Sequence, residues 1–180
     1  MCNIDITGVC IKCGTEDNLS AHHVVPQKYL RHFENRHYSQ YNSFFIVKLC
    51  RDCHDQYEEQ AERLVQSIHD RFLTNEEKLI STKLHFLKTF KYTTNKKTRA
   101  GIAKGYFKKF NTNIQDEDID LNYNPYKIIV ERIKEKNITR IWINHFLSFS
   151  KYPYISIDQK LIYYGDWENI FDKQLKLKTK

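Results

Sequence analysis

Two Cys-x-x-Cys pairs, Cys10-Ile-Lys-Cys13 and Cys50-Arg-Asp-Cys53, constrain this chain more than any other feature. Each pair closes a tight loop whose amides stabilise sulfur charge, and together the pairs supply four thiolates for the corners of a tetrahedron around zinc. The 36 residues between Cys13 and Cys50 exceed the span of a minimal zinc ribbon. A structural Zn2+ would then clamp the two ends of an inserted two-stranded unit. The competing uses of four thiols are disulfides, a redox dithiol and reduced core cysteines. The leading Met1-Cys2-Asn3-Ile4-Asp5 has neither the basic nor the apolar part of a signal peptide, so the expectation is an intracellular chain. There, paired cysteines hold metal more often than they bond to each other. No βαβ pattern surrounds either pair, which disfavours a thiol redox protein, and Cys2 reads as an unpaired thiol. No apolar run approaches the roughly 18 residues of a membrane span, so no membrane partner is expected.

Charge is unevenly placed along the 180 residues, a length that buries a core without staples. Residues 1–60 hold 6 Lys/Arg against 8 Asp/Glu, and residues 61–180 hold 23 against 14. A mildly acidic segment suited to cations thus precedes a basic one suited to a polyanion. Lys outnumbers Arg 21 to 8, a bias that A+T-rich coding also produces, so basic character alone does not assign a nucleic-acid partner.

Between and beside the cysteine pairs lie the histidines. Leu19 to Val25 forms a short strand ending at Pro26, which cannot donate to a continuing ladder. His22 and His23 fall on it with opposite directions, so they cannot do the same job. Residues 27–43 are polar and aromatic and read as loop with one helical turn, and Phe44 to Leu49 is a second strand. A helix runs from Asp52 to Phe72, because Ala61, Leu64, Val65, Ile68 and Phe72 recur at helical spacing. It carries His54 and Glu58 one turn apart on one face. Further helices are expected over Glu76–Tyr92, within Ala100–Phe110, over Tyr126–Lys136 and over Thr139–Ser150, with a break at Asn122-Tyr-Asn-Pro125. A terminal hairpin around Gln159 closes the outline.

Ala21-His22-His23-Val-Val-Pro26, followed by Leu49-Cys50-Arg-Asp-Cys53-His54, resembles the HNH endonuclease family in its variety with a cysteine-bound structural zinc. The match covers roughly residues 8–60. The resemblance implies an α+β chain: an N-terminal zinc-stapled ββα-metal, treble-clef-like module over residues 1–72, then a basic, mostly α-helical region over 73–180. It also implies phosphodiester hydrolysis with one catalytic Mg2+ or another divalent cation. By position in the motif, His22 and His54 would be ligands of that cation, His23 the general base and Glu58 a further ligand. Cys10, Cys13, Cys50 and Cys53 would hold structural Zn2+. One position departs from the pattern: the family's middle asparagine usually stands five residues before the first closing cysteine, where this chain has Phe45. Asn42 is the nearest candidate for bracing the loop and orienting the base, and Asn35 is a weaker one.

From Lys78 to Phe110 there are ten Lys/Arg and no Asp or Glu. Lys83, Lys88 and Lys91 on one helix, then Lys96, Lys97 and Arg99, then Lys104, Lys108 and Lys109, form a run of cations suited to phosphate contacts. Phe86 and Phe90 fall at helical spacing with Leu79 and Leu87 and read as core. Arg140, Trp142 and His145 read as packing and surface residues. The expected function is a metal-dependent DNA endonuclease acting on double-stranded DNA. The alternative is a zinc-binding nucleic-acid module without turnover.

Overall fold

The computed structural model describes residues 8–33, 46–150, 154–157 and 160–163. It is a mixed α/β chain, mostly helical. Strand β1, Leu19–His23, pairs antiparallel with β2, Ile46–Cys50, in a register that sets His22 opposite Val47 and His23 opposite Ile46. Between them Pro26 leads into a four-residue helix α1, Gln27–Leu30. Helix α2, Arg51–Phe72, follows β2 without a connecting residue. The two-strands-then-helix order expected from the sequence is therefore present.

The thiol turn precedes β1. Gly14 N donates to Cys10 O at 2.8 Å, and Gly14 takes φ +84, a left-handed value that favours glycine, as the turn requires. Ile11 N donates to Lys48 O at 3.0 Å, which ties the turn to β2.

Later elements also follow the pattern, with shifted ends that have local causes. Helix α3, Asn75–Tyr92, opens on a capping box in which Thr74 Oγ1 accepts from Glu77 N and Glu77 Oε2 accepts from Thr74 N. Helix α4, Lys96–Phe110, starts four residues before the expected Ala100 because Asn95 Oδ1 caps Thr98 N at 3.0 Å. It stops at Asn111, whose φ of 55 ends the helix. Helix α5, Pro125–Ile133, is capped by Asn124 Oδ1, and Lys134 at φ 67 separates it from α6, Glu135–Phe149. Strands β3, Tyr154–Ile157, and β4, Lys160–Tyr163, pair antiparallel, and the turn expected around Gln159 lies outside the described residues.

The chain clusters into two compact units, residues 1–66 with 130–180, and residues 67–129. The first is built on rings. Trp142 and Phe146 of α6 are fully buried, with Tyr29 5.9 Å from Trp142 and Tyr57 5.4 Å from Phe146 between ring centres. Each such side chain contributes roughly 1.5–3 kcal/mol by leaving water. The second unit packs α3 against α4 through Leu84, Tyr106 and the edge of Phe86, whose ring lies 5.6 Å from that of Tyr106. Lys83 Nζ meets Glu117 Oε1 and Oε2 at 2.7 and 3.0 Å there. Among the described residues no helix is long and apolar enough to cross a membrane.

Candidate metal centres

Cys10, Cys13, Cys50 and Cys53 come together, with sulfurs all within 4.8 Å of one another. The leading turn supplies the first pair. The end of β2 and the first turn of α2 supply the second. Cys13 Sγ lies 3.7 Å from Cys50 Sγ. A zinc–sulfur bond of about 2.3 Å gives a tetrahedral edge of about 3.8 Å, so this pair already stands at ligand spacing. It is far beyond the roughly 2.05 Å of a disulfide. Three of the sulfurs are buried and Cys13 is exposed.

The four thiols, brought this close, perturb one another. Burial raises Cys10, but the backbone amides of Cys50, Cys13 and Lys12 outweigh it and bring the thiol down to about 6. Cys53 moves the other way, pushed up by burial and then by the sulfurs of Cys50, Cys13 and Cys10. One thiolate forms readily and the next is opposed by it, a conflict that a divalent cation removes. The four residues lie close enough to bind a metal such as zinc.

A second cluster lies on the helix side of the hairpin. His22, His54 and Glu58 each offer a ligand atom within 4.8 Å of the others. His22 Nδ1 is 3.6 Å and His54 Nε2 3.8 Å from Glu58 Oε1, and the two imidazoles meet edge to face with centres 5.0 Å apart. Ligands about 2.1 Å from one cation stand about 3.0–3.5 Å apart, so the two nitrogen-to-Glu58 distances exceed ligand spacing by about 0.1–0.8 Å. His22 fits the part of ligand for a further reason. Burial, then the charges of His54 and His23, push its pKa down to about 3, keeping the ring neutral as metal binding demands, with Nδ1 the nitrogen that stands toward Glu58. Tyr57 stands behind it at 4.7 Å, and burial, then Glu58, raise the phenol's pKa.

His23 turns from this cluster. Its Nε2 is 2.7 Å from the Gln27 side-chain amide, and burial lowers its pKa. Both histidines nevertheless border one cavity of about 340 Å³, together with His54, Glu58, Lys28, Glu62 and the apolar Pro26, Ala61, Val65 and Trp142. Burial lowers the Lys28 ammonium's pKa, against the pull of Glu58 and Glu62.

The residues expected at a site thus fall into groups. The four cysteines converge, as do His22, His54 and Glu58, with His23 beside them. Asn42 and Asn35 lie outside the described residues. Lys88, Lys91, Lys96, Lys97, Arg99, Lys104, Lys108 and Lys109 are exposed on α3 and α4, whereas Lys83 is mostly covered and engaged by Glu117. Sequence reasoning missed Gln27, Lys28 and the lining role of Trp142. Gln27 had one legible signal, its place four residues after His23 across a proline turn. Trp142, more than eighty residues after Glu58 in sequence, had none.

No family model matches this chain, and comparison with curated proteins and with solved structures finds no match either. What fold and sites define is a mostly helical α/β chain with a four-sulfur cluster that can take a metal such as zinc. A second cluster of two imidazoles and a carboxylate opens on a cavity.

Proposed function

We propose that the chain is a metal-dependent DNA endonuclease of the HNH type, with its nuclease module in residues 1–72 and its DNA-holding region in the basic helices that follow. The observation that carries this reading is the convergence of His22, His54 and Glu58 on one side of a cavity that His23 also borders. Structural zinc at the four cysteines would hold β1 and the start of α2 so that the histidines stay in register. A divalent cation such as Mg2+ at His22, His54 and Glu58 would polarise the scissile phosphate and stabilise the departing oxygen.

The chain's own groups do the rest. His23, kept neutral by burial, accepts the proton of the attacking water. Three protein ligands leave coordination positions for water and phosphate, unlike the closed four-sulfur site. The exposed cations of α3 and α4 neutralise the phosphate backbone of the duplex. Phe45, at the position where the family usually has asparagine, favours the second reading, a zinc-binding nucleic-acid module without turnover.

The experiment is plasmid nicking with Mg2+ or Mn2+, comparing the natural chain with His23→Ala. We expect the natural chain to nick and the variant to lose about 10²–10⁴-fold in rate. Cleavage that survives the substitution removes the histidine mechanism. Binding without cleavage by either protein selects the second reading.

A further inference from the structure

The contact between His23 and Gln27 has no counterpart among the residues the sequence pattern assigns. His23 is the last residue of β1 and Gln27 the first of α1, and the intervening Val24 and Val25 are fully buried. Tyr29 N donates to Pro26 O at 2.9 Å and Arg31 N to Gln27 O at 3.0 Å, so the backbone carrying Gln27 is fixed. Gln27 Nε2 stands 2.7 Å from His23 Nε2. A half-turn of the amide exchanges its nitrogen and oxygen at that place with almost no change in shape.

The two orientations have opposite chemical consequences. If the amide N–H donates to Nε2, the imidazole proton must sit on Nδ1, and both ring nitrogens are then occupied. If Oε1 accepts from Nε2–H, Nδ1 keeps a free lone pair. A general base needs that lone pair, and the partner of the other nitrogen decides whether it exists. A distance of 2.7 Å lies at the short end of the normal range for an N–H···O bond.

We propose that Gln27 is the positioning residue of His23: its amide oxygen accepts the Nε2 proton, holds the ring on the edge of the cavity and leaves Nδ1 as the basic nitrogen. The inference rests on the nuclease reading for its catalytic consequence. It assigns to a glutamine of the proline turn the orienting task that the family pattern would give to an asparagine further along.

The test uses the full chain with its bound metal, labelled with 15N at histidine, at a single pH well above the ordinary histidine range. Long-range 15N–1H correlation reports which nitrogen of His23 carries the proton. The natural chain should show Nε2 protonated and Nδ1 bare. Gln27→Met, close in shape but without a hydrogen bond, should spread the proton over both nitrogens and lower kcat about tenfold to a hundredfold. KM should change less than kcat, since Gln27 borders the cavity but acts on the reaction through His23. Gln27→Glu keeps an acceptor at the same reach, so it should restore the Nε2–H form and recover kcat relative to Gln27→Met. Circular dichroism and zinc content matched to the natural chain exclude misfolding as the cause. A natural chain with the proton on Nδ1, or a Gln27→Met protein with unchanged tautomer and kcat, overturns the proposal. If the natural chain does not cleave DNA at all, the nuclease reading falls. The tautomer comparison then decides the Gln27 contact by itself: an Nε2–H form lost in Gln27→Met supports it, and an indifferent His23 removes it.

Discussion

Replacing Cys50 with serine should release the metal and loosen the first unit, by an amount that follows from the four-sulfur geometry. Structural zinc sites contribute about 10–16 kcal/mol of apparent binding free energy at neutral pH. An equal share per thiolate is about 2.5–4 kcal/mol, a large part of the roughly 5–15 kcal/mol that stabilises an ordinary domain. At about 2–4 °C per kcal/mol for a chain of this size, the midpoint of thermal unfolding should fall by about 5–16 °C. Cys50 is 7 % exposed, so the serine hydroxyl would also be left in a dry place. Cys13 is exposed and supplies an internal comparison. Cys13→Ser loses a ligand equally but buries no hydroxyl, so it should weaken zinc binding to a similar degree and lower the midpoint less. Zinc content by elemental analysis, thiolate-to-cobalt absorption after exchange and melting by circular dichroism measure these effects. A Cys50→Ser chain with the same metal affinity and the same midpoint refutes the reasoning. So does a natural chain that loses no stability when a strong chelator strips it.

Other expectations are read more briefly. His54→Ala should weaken Mn2+ binding at least tenfold in a calorimetric titration, and Glu58→Gln less, because Glu58 is half exposed; equal affinities in all three proteins would dissolve the second metal seat. Exchanging Lys96, Lys97 and Arg99 for glutamine should flatten the salt dependence of duplex binding by about 0.9 in log–log slope for each phosphate no longer neutralised, as fluorescence anisotropy would show. Glu117→Gln should lower the urea midpoint at neutral pH, the charged hydrogen bond it removes being worth about 1.5–3 kcal/mol. The sign with pH is fixed by the direction of the shift: the Lys83 ammonium holds Glu117 down at about 2 against an ordinary 4.5, so the stabilisation is complete above 4.5 and fades as pH falls toward 2. The difference between the natural chain and Glu117→Gln should shrink over that window, and a constant gap would contradict the assignment.

The parts of the fold that are legible in the sequence are those in which a local rule and the tertiary structure agree. His22 and His23 sit on a strand because β-branched residues and a terminating proline follow them, and the strand's alternation sends the first into the core and leaves the second half covered. Helix α2 is legible from Ala61, Ile68 and Phe72, and its start brings His54 and Glu58 to one face. The start of α4 is not, because one side chain, Asn95, sets it, and a single cap is quieter than a hydrophobic stripe. The gap between α5 and α6 escapes for a similar reason, since nothing in the chemistry of Lys134 announces a left-handed φ.

The cavity is where local reading stops being sufficient. Its polar edge comes from residues that carry their chemistry in their type: two imidazoles and a carboxylate, drawn together by a strand register and one helical turn. Trp142 of α6, fully buried, also lines it, and the His145 ring of the same helix lies 5.4 Å from that of Tyr57. Tyr57 in turn stands against His22. Ring contacts therefore run from a helix distant in sequence, through one buried phenol, to the histidine that faces Glu58. A side chain type identifies a ligand. Only packing determines which nitrogen is buried, how neutral it stays and which neighbour holds it in place. Tyr57→Phe keeps the ring contacts and removes only the unpartnered hydroxyl, so it should leave metal affinity intact. Tyr57→Ala should displace His22 and weaken Mn2+ binding together with stability, the latter by about 3–5 kcal/mol if the void does not collapse. If Tyr57→Ala melts earlier but binds Mn2+ as tightly as the natural chain, the phenol supports the core alone and His22 is held by β1 without it.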